Sequence, residues 1–441
     1  MKQATIFIGF ILMLSLTACG LAPGAVPQAS APPPAEPAAS AAAEQTAASM
    51  AAPTAALTPE SGEDTSQQGT PENQNCPAGS AAVAVIVDPN ILDGILPGLT
   101  LFEDDLGQDG FEVIEINNEF ATPVELRAAL SDLYQSRDKC LAGAYLIGDL
   151  PYAYQWFRVE YANPDIPPTE QEVISFQYYT DLDGVFRASE DYISPGGHEF
   201  SFDVHEGDLD WEIWVGVLPL YKGNTDQTIQ AINRYFEKNH AYRQGEYTIP
   251  HAFLQIYEFQ TATTQEDHDR IEQQQTSGQY AWTPFSSSPD AQLYFDSPPA
   301  DMTVEQGYRA LSEGTADFTA VSAHGSWKVS GSIDVNWVES NPIETVFYRT
   351  SGCSTGDLDH DDNFLTSVLY SPTSAVLVAW GATSPAGGMG NNTDGFFGHN
   401  VASDLSEGKS IGEAILEHVN TPFESVIRRP VISGQCVQYH H

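Results

Sequence analysis

The chain has 441 residues, with 60 acidic against 17 basic side chains and a formal net charge of −43. That excess of carboxylates argues against nucleic acid and against electrostatic docking on anionic lipid. It favours cations and basic ligands through steering, although most of these charges are read as the soluble surface of an exported protein.

Residues 1–19 read as an export signal: Lys2 is the charged start, Ile6 to Leu16 the apolar core, and Leu16-Thr17-Ala18-Cys19 the cleavage box. Small residues before a cysteine at the end of so short an apolar run resemble a bacterial lipobox, with Cys19 as the lipidated first residue. The run is too short for a lasting membrane span, so the expected membrane contact is the lipid anchor alone, at the outer face of a bacterial membrane. Residues 20–75 are Ala, Pro, Thr, Ser, Gln and Glu with almost no large apolar side chains. Such a segment cannot bury enough surface to offset its ordering entropy, so it is expected to be a disordered tether.

The folded part begins with Ala81 to Val87, a continuous apolar run of the kind found in strands buried on both faces. A helix follows Asp88-Pro89-Asn90 and ends near Gly107. Phe111 to Ile116 is a second strand. Thr122-Pro123 opens a helix with a cap residue and a proline in its first turn, running to about Asp138. Leu141 to Ile147 is a third strand, broken at Gly148-Asp149-Leu150-Pro151. This alternation predicts a parallel sheet. Residues 152–200 are less regular. Trp211 to Gly216 is a strand, Asn224 or Thr225 caps a helix to about His240, and Ala252 to Glu258 is another strand. Residues 260–299 give no firm reading. Val304 to Leu311 is a helix, and Ile411 to Val419 the last one. The expected architecture is α/β: a mostly parallel sheet flanked by helices, with an N-terminal lobe over residues 76–200 and a catalytic lobe over 201–441.

Three apolar runs organise the second lobe. Phe318 to Ala323 breaks at His324-Gly325-Ser326. Val346-Phe347-Tyr348 breaks at Ser351-Gly352-Cys353-Ser354-Thr355-Gly356-Asp357. Ala375 to Trp380 follows. As parallel strands, the first two deliver an imidazole and a thiol to one carboxyl edge, where open α/β sheets build their sites. These are the parts of a cysteine nucleophile and its proton-handling partner. The adjacent glycines admit a substrate backbone, and the amides of Gly325 and Cys353 are the candidate oxyanion donors.

The two catalytic-type motifs, with Gly148-Asp149-Leu150-Pro151, Tyr179-Thr180-Asp181-Leu182-Asp183-Gly184 and Glu212-Ile213-Trp214-Val215-Gly216 upstream and Val376 to Ser384 downstream, resemble the gingipain-type cysteine peptidases of clan CD. The resemblance covers about residues 80–420. It implies a caspase-like fold and hydrolysis of protein or peptide substrates, with Cys353 as nucleophile, His324 as general acid, Gly325 as second oxyanion donor and a thioester intermediate. It also implies that an acidic side chain before the strand at Trp211–Gly216 selects a basic residue at the cleaved bond. Asp208 matches that spacing best and Asp210 lies beside it. Trp380 is placed at the substrate groove. Val217 stands where relatives often have Arg, and the late Gly-Asp-Pro block is missing.

Other readings follow from the same residues. A peptidase-like lobe serving only as a surface binding or adhesion module would keep the fold and lose the thiol's reactivity. Ser326 and Ser351 lack the Gly-x-Ser-x-Gly elbow of serine hydrolases. No cofactor is expected. Asp357, Asp359, Asp361 and Asp362 lack the Gly and Glu positions of an EF-hand, leaving room only for a looser structural calcium site. Cys76 and Cys140 each precede a strand of one lobe and fit a disulfide, which leaves Cys436 over; spacing does not fix that pairing.

Overall fold

The structure is a computed structural model that describes residues 81–136, 140–159, 169–189, 192, 194, 196–198, 200–207, 210–276, 291–383 and 409–420. All of them fall in one compact unit of the chain, Gly69–His441. In chain order the first elements are β1 (Ala81–Val87), α1 (Pro89–Gln108), β2 (Glu112–Ile116), α2 (Pro123–Gln135) and β3 (Cys140–Ile147). Then come β4 (Tyr154–Val159), β5 (Thr169–Ile174), α3 (Gln177–Thr180), β6 (Val185–Arg187), β7 (Ser201–Phe202), β8 (Val204–Glu206) and β9 (Trp214–Leu218). The second half holds α4 (Thr225–Arg243), β10 (Phe253–Tyr257), α5 (Gln265–Thr276), β11 (Gln292–Tyr294), α6 (Val304–Ser312), β12 (Phe318–Ser322), β13 (Gly325–Ser326) and β14 (Val329–Ser330). It closes with β15 (Ile333–Asp334), α7 (Val335–Ser340), β16 (Phe347–Thr350), α8 (Phe364–Tyr370), β17 (Val378–Trp380) and α9 (Ile411–Asn420).

Two parallel sheets carry the fold. The first has the order β2-β1-β3-β9 and the second β11-β10-β12-β16-β17, with every neighbouring pair parallel. This is the expected mostly parallel, helix-flanked α/β architecture. The strand Trp214–Leu218, which lies past residue 200, is the edge of the first sheet.

The apolar runs at β1 and β3 have a direct structural reason. Val83, Val85, Val87, Tyr145 and Ile147 face one core with Ile91, Ile95 and Phe102 of α1 and Ile232 and Phe236 of α4. Their neighbours Ala84, Ile86, Ala144 and Leu146 face a second core with Leu126 and Leu130 of α2 and Tyr178 and Tyr179 of α3. With apolar partners on both faces, alternation disappears from the sequence. The first core continues into the second sheet through Leu254, Ile256, Ala320 and Val321. Helix α4 ties the two: Tyr235 Oη donates to Leu377 O at 3.2 Å and Lys238 Nζ to Leu369 O at 2.9 Å.

Caps form as the sequence specifies. Thr122 Oγ1 accepts from Glu125 N, Asn224 Oδ1 from Gln227 N, and Thr303 and Gln306 form a reciprocal capping box before α6. The irregular stretch after β3 becomes an antiparallel pair, β4 with β5, and a short antiparallel pair, β6 with β8. Arg127 of α2 holds this region from below. Its guanidinium donates to Asp181 O and Gly184 O at 2.9 and 2.8 Å and lies 5.0 Å from the rings of both Tyr178 and Phe186.

Candidate active site

Strand β12 is buried throughout, and its parallel register with β16 pairs Val321 with Thr350. Ser351 N continues the ladder onto Val321 O at 2.9 Å, and Ser351 Oγ accepts from Ala323 N at 3.2 Å. Ser351 is therefore spent on joining the two strand ends. One residue further, the backbones of Gly325 and Gly352 touch: a Cβ placed on Gly325 would lie 2.7 Å from Gly352 Cα. His324 and Cys353 flank this contact. His324 is exposed, and Cys353 is half-buried with a free thiol.

The turn carrying Cys353 is held from several sides. Ser354 adopts a left-handed conformation, φ 53°. Thr355 Oγ1 donates to Gly352 O at 3.0 Å, Gly356 N to Ala382 O at 2.9 Å, and Leu365 N to Thr355 O at 3.1 Å. The segment after β17 thus supports the turn, and Gly381 packs so closely that a Cβ there would meet Thr355 Oγ1 at 2.5 Å.

The imidazole side has its own frame. Gly331 N donates to His324 O at 2.8 Å, which makes 324 and 331 a hydrogen-bonded pair of the β13–β14 hairpin. Gly325 and Ser330 are then the intervening pair, whose amides point out of the ladder. The N–H of Gly325 therefore faces away from β14. Glu258, at the end of β10, accepts from Ser332 N at 3.1 Å and from the hydroxyls of Tyr308 and Ser332, pinning the base of the hairpin. Next to it, Phe259 stands edge-to-face on His324, ring centroids 5.0 Å apart at 88°.

The two loops are also fastened to each other. Trp327 stacks on His360 at 4.1 Å, Phe364 N donates to Trp327 O at 2.6 Å, and Lys328 pairs with Asp362 at 3.0 Å. Of the acidic run after Cys353, Asp362 is used in this way. Asp359 accepts from Tyr154 Oη at 2.6 Å, and Asp357 lies 3.4 Å from His360. Burial, then the neighbouring Asp359, raises Asp357 above the usual carboxylate range. Among the described residues, the carboxylate and histidine trios whose atoms converge closely are His268, Asp269 and Glu272, and Asp181, Asp183 and Glu212.

No family model and no curated protein matches this chain. It is similar to one solved structure, the crystal structure of the Arg-specific cysteine proteinase gingipain R. The likeness covers 77% of this chain and 72% of that one, at 13% identity and a TM-score of 0.49.

Of the other expected site residues, Trp380 stands apart from the pair. Trp380 is 3% exposed, with its ring 5.5 Å from that of Phe318 inside the core. Its indole packs the sheet instead of lining a groove. Asp208 and Cys19 lie outside the described residues. Asp210 precedes Trp211, whose backbone N donates to Asn420 Oδ1 of α9 at 2.7 Å. Cys140 is disulfide-bonded; Cys76, its expected partner, and Cys436 lie outside the described residues. Sequence reading missed Phe259 and Gly381, and took Glu258 only as the end of a strand. Phe259 carried a signal, an aromatic placed directly after a strand.

Proposed function

We propose that this chain is a cysteine-type endopeptidase acting on extracellular proteins or peptides, anchored to the outer face of a bacterial membrane through lipidated Cys19. The observation that carries the reading is the contact of Gly325 with Gly352 between strand ends bearing an imidazole and a free thiol. In the first step the Cys353 thiol gives its proton to His324, the sulfur attacks the scissile carbonyl, and the carbonyl electron pair moves onto oxygen. The N–H groups of Cys353 and Gly325 are the donors to that oxyanion. His324 gives a proton to the departing amine, the C–N bond breaks, and a thioester remains. Water then attacks the thioester, His324 takes up its proton, and the acid product leaves the thiolate.

Preference for Arg or Lys at the cleaved bond is assigned to Asp208, whose carboxylate would pair with the basic side chain. Cys353→Ala is expected to abolish peptide hydrolysis, and iodoacetamide is expected to label Cys353 near neutral pH. Full activity in the alanine variant would refute the assignment. A Cys353 that neither labels nor supports hydrolysis would make the lobe a binding module. Asp208→Ala is expected to erase the basic preference in a peptide library, and indifference to that change would remove Asp208 from the pocket.

A further inference from the structure

Among the described residues, Phe259 is one of the few large apolar side chains that remain exposed, at 37%, and it stands directly against His324. The reason is register. Strands β10 and β12 run parallel with Tyr257 opposite Ser322, and Glu258 N extends the ladder onto Ser322 O at 2.8 Å. Two residues further on each strand come Phe259 and His324, on the same side of the edge. The ring packs edge-to-face on Tyr257 at 5.7 Å, and the next residue, Gln260, accepts from Arg270 of α5 at 3.0 Å. An exposed aromatic fixed beside a site costs solvation, and it is suited to an apolar group arriving there.

Sheet order sets which part of a substrate meets it. The order β10-β12-β16 places Phe259, His324 and Cys353 on three successive strand ends. The acyl carbon bonds to the Cys353 sulfur, and the amine it releases takes its proton from His324. The polypeptide beyond that amine therefore leaves over the His324 side, towards β10 and away from β16. We propose that Phe259 is a specificity residue of this same site, forming the apolar wall for the first residue on the leaving side of the cleaved bond. The inference rests on the peptidase reading, and it assigns an apolar or aromatic leaving residue as the favoured substrate class.

The test compares peptides that share one cleaved residue and differ only in the next, Gly, Ala, Leu or Phe. The native protein is expected to favour Leu and Phe over Gly by about tenfold in kcat/KM, and Phe259→Ala to compress that ratio to about twofold or less. Phe259→Leu, which keeps an apolar wall, serves as the second variant and retains most of the preference. An unchanged leaving-residue profile in Phe259→Ala overturns the proposal. A second measurement needs no turnover: leucinamide and glycinamide are titrated into the Cys353→Ala protein while the imidazole protons of His324 are followed by NMR. Leucinamide is expected to shift them more than glycinamide with Phe259 present and not in Cys353→Ala/Phe259→Ala. Equal responses in the two proteins, or none in either, overturn the proposal. A native protein that cleaves no peptide removes the peptidase reading while the titration still decides the role of Phe259.

Discussion

Replacing Gly325 with alanine tests the site at its tightest point. The added methyl would lie 2.7 Å from Gly352 Cα, 2.9 Å from the Gly352 carbonyl carbon and 2.9 Å from Val329 O. Ordinary carbon–carbon contacts are about 3.5–4.0 Å, so the two strand ends must part by roughly 1 Å. All three neighbours are backbone, so no side chain can rotate to make room. Gly325 is not in the left-handed region, so the effect is steric and not a matter of φ. Overpacking of this kind costs about 1–3 kcal/mol of stability. A displacement of about 1 Å between reacting groups costs about a hundredfold in rate. Gly325→Ala is therefore expected to fold, to melt a few degrees lower, and to lose about two orders of magnitude in kcat/KM on a peptide substrate. Alkylation of Cys353 should persist, because the thiol stays in place. Activity within a few-fold of the native protein would show that the contact between the two glycines does not set the catalytic geometry.

The remaining predictions concern the frame around the site. Trp327→Ala is expected to cost about 1–3 kcal/mol and to lower activity, because it removes the stack on His360 that joins the two loops. Lys328→Ala should cost under about 1 kcal/mol in the same melting assay, since its pair with Asp362 is some 40% exposed at both ends. Arg127→Lys is expected to lose about 1–3 kcal/mol in denaturant melts, through two carbonyl hydrogen bonds and a planar group held between Tyr178 and Phe186. The Glu212 carboxyl is pushed up to about 7, by burial first and then by Asp181 and Asp183. A folded pKa above the unfolded value gives stability that is full below the ordinary carboxyl value of 4.5 and lost as pH rises through about 7. Glu212→Gln, which can still accept from Leu182 N, should therefore raise the melting temperature at pH 8 and not at pH 4. An equal shift at both pH values would refute the charge argument.

Most strands of the two sheets were legible because both faces of their central strands have apolar partners, which leaves runs such as Ala82 to Val87 with no polar residue; β11 fell in a stretch that gave no firm reading. The site was legible in its two halves, since a histidine and a cysteine each follow a buried strand and precede or follow a glycine. The strand read at Trp211 to Gly216 begins later, at Trp214, because the amides of Glu212 and Ile213 both turn to Thr180 O before the chain joins the sheet. Helix α5 escaped notice because it buries little beyond His268 and Ile271, so its sequence carries no apolar stripe. Trp380 read as a groove residue from its place near the strand end. In the structure its neighbour Phe318 comes from the opposite end of β12, a cross-strand approach that local sequence does not encode.

What local sequence cannot show, pairing register supplies. Residues 259, 324 and 353 are remote along the chain, yet parallel strands lie about 4.8 Å apart, and three successive ends bring all three side chains to one edge. The 5.0 Å between the rings of Phe259 and His324 is one such step. An extended peptide advances about 3.3 Å per residue. One residue past the bond broken at Cys353 therefore lies over β12, within reach of an aromatic reaching in from β10. The ring contact with His324, the group proposed to protonate the leaving nitrogen, ties Phe259 to the residue that carries that nitrogen, so variation further along the leaving segment should leave its contribution untouched.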